Sequence, residues 1–149
     1  MNAVDTNVLI YVRDPRDRAK QQKAVELTTS LTDGALPWHV ACEFISASRK
    51  LAPSGFTQAE AWRELERLRL LWQLVLPTDS VLKRAEQLTA ELSVSFWDAT
   101  LLAACREGGI TQLYTEDFDA SLSKSERRRD HQPVLMTTPM AHSYPKTSA

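Results

Sequence analysis

The chain has 149 residues, with 18 Lys and Arg against 19 Asp and Glu for a formal charge of −1, and it is 43% hydrophobic and 25% charged. That length suits one domain with a proper core, and the composition excludes a disordered or linker-rich chain. A charge sum near zero excludes holding nucleic acid by bulk basicity, though not by a local basic patch. The longest nearly apolar run, 70–77, contains Gln73 and falls far short of the roughly 20 residues a membrane helix needs, so no membrane partner is expected. The opening Met1-Asn2-Ala3-Val4-Asp5 has neither a basic region nor an apolar signal core, which predicts a cytoplasmic location. Cys42 and Cys105 lie in apolar helical contexts and read as buried, reduced thiols.

Turn signals recur at the spacing of alternating strands and helices, which favours an α/β sandwich around a mostly parallel sheet. Residues 2–4 predict a short strand that flows past Asp5 into helix at 7–11. A second helix is expected over 16–32, with Ala24, Leu27 and Leu31 on one face, ended by Asp33-Gly34. Residues 35–37 follow as a strand, and 40–50 as a helix stopped near Pro53-Ser54-Gly55. Thr57 and Glu60 form a capping box, and Trp62, Leu65, Leu68 and Trp72 make a stripe at helical spacing that reads first as core. Residues 73–76 are β-like, and Asp79 is placed as the cap of a helix over 80–92. An Ala- and Leu-rich helix over 96–107 closes on Gly108-Gly109, a strand follows at 112–115, and 134–136 is a candidate edge strand. The domain is expected to span 1–136, leaving 137–149 as a loose tail.

Four acids fall where chemistry is done. Asp5 and Asp117 each follow a predicted strand, Glu43 sits one turn into the third helix, and Asp98 sits in the first turn of a nearly all-apolar helix. In an open parallel sheet, ligands bind outside the carboxyl ends of the strands. Each acid also has a plain structural role. Asp5 and Asp98 can serve helix starts, Glu43 can pair with His39 at i,i+4, and Asp117 can form a turn. Those roles leave the joint pattern unaccounted for: Asp98 is the sole charge between Glu91 and Arg106, and Glu43 the sole charge between Asp33 and Arg49. Converging carboxylates repel one another unless a cation joins them, and Mg²⁺ or Mn²⁺ takes oxygen ligands while keeping waters. Such an ion suits phosphodiester hydrolysis, with Thr6 and Thr115 orienting a carboxylate or a water. His39, His131 and His142 show no ligand spacing, which argues against zinc.

The segments Val4-Asp5-Thr6-Asn7-Val8-Leu9-Ile10-Tyr11, Cys42-Glu43-Phe44, Ser95-Phe96-Trp97-Asp98-Ala99 and Leu113-Tyr114-Thr115-Glu116-Asp117, in that order, resemble a PIN-domain protein. The closest likeness is to VapC-type toxins of bacterial toxin–antitoxin modules, over about residues 2–120. The resemblance implies a three-layer α/β/α sandwich and a Mg²⁺- or Mn²⁺-dependent endoribonuclease, with an antitoxin partner and often a homodimer. By position it makes Asp5, Glu43, Asp98 and Asp117 the metal-binding acids, supports them with Thr6, Asn7 and Thr115, and leaves Asp119 in an outer role. The charged run 124–130 departs from the shorter link that many relatives have there.

Two basic stretches abut the proposed acids. Arg13, Arg16, Arg18, Lys20 and Lys23 outnumber Asp5, Asp14 and Asp17, and Lys124, Arg127, Arg128 and Arg129 outnumber Glu126 and Asp130. Both are expected to hold the phosphate backbone of RNA, led by Arg13, Arg16, Arg127, Arg128 and Arg129, without reading bases. The rival readings are a PIN-fold nucleic-acid-binding or RNA-processing protein without a toxin role, and a metal-dependent phosphatase or receiver-like domain. The last is weakened because Asp5-Thr6-Asn7 lacks a second Asp two residues on.

Overall fold

The computed structural model describes residues 1–116 and the strand at 135–137. The chain opens on β1 (Asn2–Val4), whose Ala3 and Val4 are fully buried. Asp5 then stops the strand and caps α1 (Thr6–Arg13), its side chain accepting from the Thr6 amide. Asp17 does the same for α2 (Arg18–Ser30) through the Lys20 amide. β2 (Gly34–Pro37) is buried along its whole length, and Pro37 turns it into α3 (Trp38–Ala47). A short 3-10 helix (Ser48–Ser54) ends on Gly55, whose positive φ of 91° suits a residue without Cβ. α4 (Gln58–Leu71) starts on the Thr57–Glu60 capping box, with both of its hydrogen bonds made.

β3 (Gln73–Val75), α5 (Asp79–Glu91), α6 (Phe96–Glu107), β4 (Gln112–Tyr114) and β5 (Leu135–Thr137) complete the order. The strands form one sheet in the order β3-β2-β1-β4-β5, all parallel. Ala3 lies between Ala35 and Leu113 in the ladder, so β1 is the central strand. The chain winds outward from β1 through β2 to β3, then crosses back to start β4 on the other side of β1. Right-handed crossovers place the helices before and after such a reversal on opposite faces. Accordingly α1 packs with α2 and α3, and α3 with α4, whereas α5 and α6 pack with each other. Val4, Val8, Leu36, Val40, Phe44, Leu102 and Leu113 fill the core, each without measurable exposure. A Cβ on Gly34 would stand 2.2 Å from the Trp72 indole, so only glycine lets that ring lie over β2.

The three-layer parallel sandwich is the expected one, with several local corrections. Thr78, not Asp79, precedes α5, and Asp79 is its first residue. The first helix runs longer than 7–11, and the second is shorter than 16–32, because Asp17 sets its start and Leu31 its end. The third helix begins at Trp38 and gives way to the 3-10 turn at Ser48. Leu65, Leu68 and Trp72 are core, but Trp62, one turn earlier, is 58% exposed. Cys105 is buried as expected, whereas Cys42 is exposed on α3. Thr137, assigned to the tail, closes β5; residues 138–149 lie outside the described residues. Among the described residues no helix is long and apolar enough to cross a membrane.

Candidate active site

The winding reverses between β1 and β4, and the crevice outside their carboxyl ends is where a doubly wound sheet takes its ligands. Asp5 and Thr115 are the first residues beyond those two ends. The Asp5 amide donates to the Tyr114 carbonyl at 2.9 Å, extending the ladder by one bond. Thr115 Oγ1 then donates to Asp5 Oδ2 at 2.7 Å, while Asp5 Oδ1 accepts from the Thr6 amide at 2.6 Å. Thr115 is 1% exposed and Asp5 8%, so the pair is fixed in low-dielectric surroundings that strengthen a charge-assisted bond.

Thr6 brings in the second acid. Its amide serves Asp5 and its hydroxyl donates to Glu43 Oε2 at 2.9 Å, so one residue at the start of α1 ties a carboxylate of β1 to one of α3. Asp98 reaches the same edge by topology. The C-terminal end of α6 leads through Gly108-Gly109 to the start of β4, so a helix of 12 residues, about 18 Å long, sets its first turn at the carboxyl end of the sheet. There the Asp98 amide donates to Ser95 Oγ at 3.1 Å, and the residue is half-buried. Asn7 sits beside Thr6 in the first turn of α1. Asp117, Asp119, Arg127, Arg128 and Arg129 lie outside the described residues.

Sequence reasoning did not single out the neighbour of this crevice. Glu116 follows Thr115, and its carboxylate accepts from the Tyr11 hydroxyl of α1 and pairs with Lys20 Nζ of α2 at 2.9 Å. The Lys20 ammonium also lies 4.7 Å from the Tyr11 ring centre. Partial burial pushes the Glu116 carboxyl up, but the bonds from Tyr11 and Lys20 and the Lys20 charge outweigh it and hold the group below its ordinary value. The signal is one acid of the Glu116-Asp117 pair after Thr115; its partners stand 96 and 105 residues away, beyond any local pattern.

Two of the five arginines expected to hold phosphate, the two among the described residues, are engaged with acids. Arg13 donates to Glu64 at 2.7 Å and lies over the Phe56 ring, and Arg16 bonds Asp14 with two nitrogens, at 2.8 and 2.7 Å. Glu64 is buried and also takes Arg67, so the Arg13 guanidinium serves the seam between α1 and α4. His39 stands on α3 four residues before Glu43, and burial holds its imidazole below the ordinary value against the opposing pull of the Glu43 charge. The Nε2 of His39 is buried without a hydrogen-bond partner among the described residues, which fits a neutral packing residue rather than a ligand.

Among the described residues no three His, Cys, Asp or Glu side chains form a ready metal cluster. The donor chemistry nonetheless fits a hard divalent ion. Asp5 and Glu43 offer carboxylate oxygens joined through Thr6, the hard donors that such an ion takes.

The PIN domain pattern matches residues 3–124. No match was found among curated protein sequences. Among solved structures, VapC20 of Mycobacterium tuberculosis, described as a sarcin–ricin loop cleaving toxin, superposes with a TM-score of 0.64 at 23% identity, over 82% of this chain and 94% of that one. A toxin–antitoxin complex from Klebsiella pneumoniae gives 0.60 at 20% identity, over 78% and 87% of the two chains. VapBC-1 of nontypeable Haemophilus influenzae gives 0.59 at 15% identity, over 94% and 98%. With the acids at the carboxyl edge of a 3-2-1-4-5 parallel sheet and the match over 3–124, the chain belongs to the PIN-domain family, whose members are nucleases.

Proposed function

We propose that the protein is a Mg²⁺- or Mn²⁺-dependent endoribonuclease, the toxin of a toxin–antitoxin pair. The observation that carries this reading is the Asp5–Thr115 bond across the reversal point of the sheet, with Glu43 drawn to it by Thr6. Asp5, Glu43 and Asp98, joined by Asp117, would hold the ion. When bound, the ion would offset charge on the scissile phosphate and lower the pKa of a water for in-line attack. The chain's own share is positional: Thr115 and the Thr6 amide fix the direction of the Asp5 carboxylate, and the Thr6 hydroxyl fixes Glu43. With Arg13 and Arg16 engaged by acids, the phosphate-holding role falls to Arg127, Arg128 and Arg129.

The toxin role and an antitoxin partner are supported by the fold, which is shared with VapBC complexes; a homodimer is proposed on the same footing. The test incubates the purified chain with Mn²⁺ and mixed RNA, beside Asp98→Asn and a chelated sample. Cleavage confined to the wild type with metal is the expected result, and equal cleavage in all three sinks the enzyme reading. Growth arrest on expression of the wild type and not of Asp98→Asn separates a toxin from a PIN-fold RNA-processing protein.

A further inference from the structure

Directly before Asp98, the first turn of α6 carries two large aromatic side chains in solvent. Phe96 is 52% exposed and Trp97 64%. Leaving such rings in water forgoes about 1.5–3 kcal/mol for each that could have been buried, so their exposure beside a candidate site calls for a use. The rings meet edge to face, with centroids 5.3 Å apart and planes at 65°. This is a favoured aromatic geometry. It holds both side chains in a defined orientation while their exposure leaves ring surface open.

Polar side chains flank the pair along the chain. Ser93 and Ser95 are exposed, Asp98 and Thr100 are half-buried, and Asp98 is the only charge from 92 to 105. No basic residue stands in that stretch to attract phosphate, so what it offers a nucleic acid is flat π surface. A different apolar surface lies between α3 and α4, where Trp38 and Trp62 stand with Ile45, Leu65 and Leu74 in one groove. That groove, walled by apolar side chains of two helices, suits a protein segment; a pair of open rings at a helix start, one residue before Asp98, suits a planar base.

We infer that Phe96 and Trp97 form a stacking platform for unpaired bases next to the scissile phosphate. The inference rests on the proposed RNA-cleaving function. Trp97 is joined to Asp98 by one peptide unit, about 3.8 Å between Cα atoms, so a base beside a phosphate held at Asp98 lies within reach of the indole. A duplex keeps its bases stacked inside and cannot present them to a protein ring, whereas splayed bases stack readily on aromatic side chains whatever their identity.

The test measures binding of the full chain, in Ca²⁺ so that hydrolysis does not run, to a labelled single-stranded oligoribonucleotide, to the same sequence as a duplex, and to a version with abasic sites. Trp97→Leu and Phe96→Leu keep an exposed apolar side chain, and unchanged thermal midpoints verify the fold. The expected result is a loss of about ten-fold in affinity for the single strand with Trp97→Leu. Trp97→Phe should keep most of the affinity, and the duplex and abasic forms should bind wild type and variants alike. Equal affinity of wild type and both leucine variants for the single strand overturns the platform. So does a change of oligomeric state with RNA affinity unchanged, which assigns the rings to a protein contact. A wild type that neither binds nor cleaves RNA overturns the function itself, a distinct outcome.

Discussion

Thr115→Val tests the keystone of the crevice. Valine keeps the shape of threonine, so the substitution opens no cavity at this fully buried position and removes only the hydroxyl that donates to Asp5 Oδ2 at 2.7 Å. A hydrogen bond to a charged group contributes about 1.5–3 kcal/mol net, and a midpoint moves ~2–4 °C per kcal/mol in a domain of this size. The expected loss is therefore about 3–12 °C in Tm. To separate this bond from any general effect of a buried valine, the substitution is repeated in an Asp5→Ala background, where the acceptor is gone. Thermal or urea unfolding of the four proteins without metal then gives the coupling energy, expected at about 1.5–3 kcal/mol. Thr115→Ser, which retains the donor, should retain most of the coupling. If Thr115→Val costs the same with and without Asp5, the two side chains act independently, and the account of how β4 directs the Asp5 carboxylate is wrong.

Glu64 is buried against Arg13 and Arg67; burial pushes its carboxyl up, but the two guanidinium groups outweigh that and hold it below its ordinary 4.5. A carboxyl depressed in the fold stabilises above the unfolded value and loses that contribution as pH falls through the folded one. Urea midpoints of the wild type should thus fall more steeply below about pH 4.5 than those of Glu64→Gln, and parallel profiles would count against the cluster. Gly34→Ala drives a methyl into the Trp72 ring; it should cost about 1–3 kcal/mol and shift tryptophan emission, which an unmoved spectrum would contradict. Trp62→Ala should alter stability by no more than about 0.5 kcal/mol, since the ring is mostly in solvent. A loss several times larger in a chemical melt would put Trp62 back in the core.

What could be read from the sequence follows how local the physics is. The Thr57–Glu60 capping box spans three residues and stands in the structure as expected. The order of strands and helices was likewise legible, because apolar runs and turn residues mark each element in turn. Two of the four acids, Asp5 and Glu43, each bond one residue, Thr6. The failures are non-local. Arg13 read as a phosphate-holding cation because nothing in its neighbourhood announces that it will meet Glu64, 51 residues on. Cys42 and Trp62 carry apolar side chains at helical spacing, but periodicity gives a face and not what covers it, and the α3–α4 groove leaves both at its surface.

The placement of β1 at the centre of the sheet bears on how the protein comes into being. Its partners are β2, about 30 residues later, and β4, about 110 residues later. During synthesis the first strand emerges early, and α1 can form on its Asp5 cap at once, a contact of adjacent residues. The opposite wall, Thr115 on β4, is 110 residues further along. Long-range parallel pairing of this kind forms late in folding, because loop closure must precede it. A half-made chain therefore carries one lip of the crevice without the other. The crevice is completed only when β4 slides in beside β1.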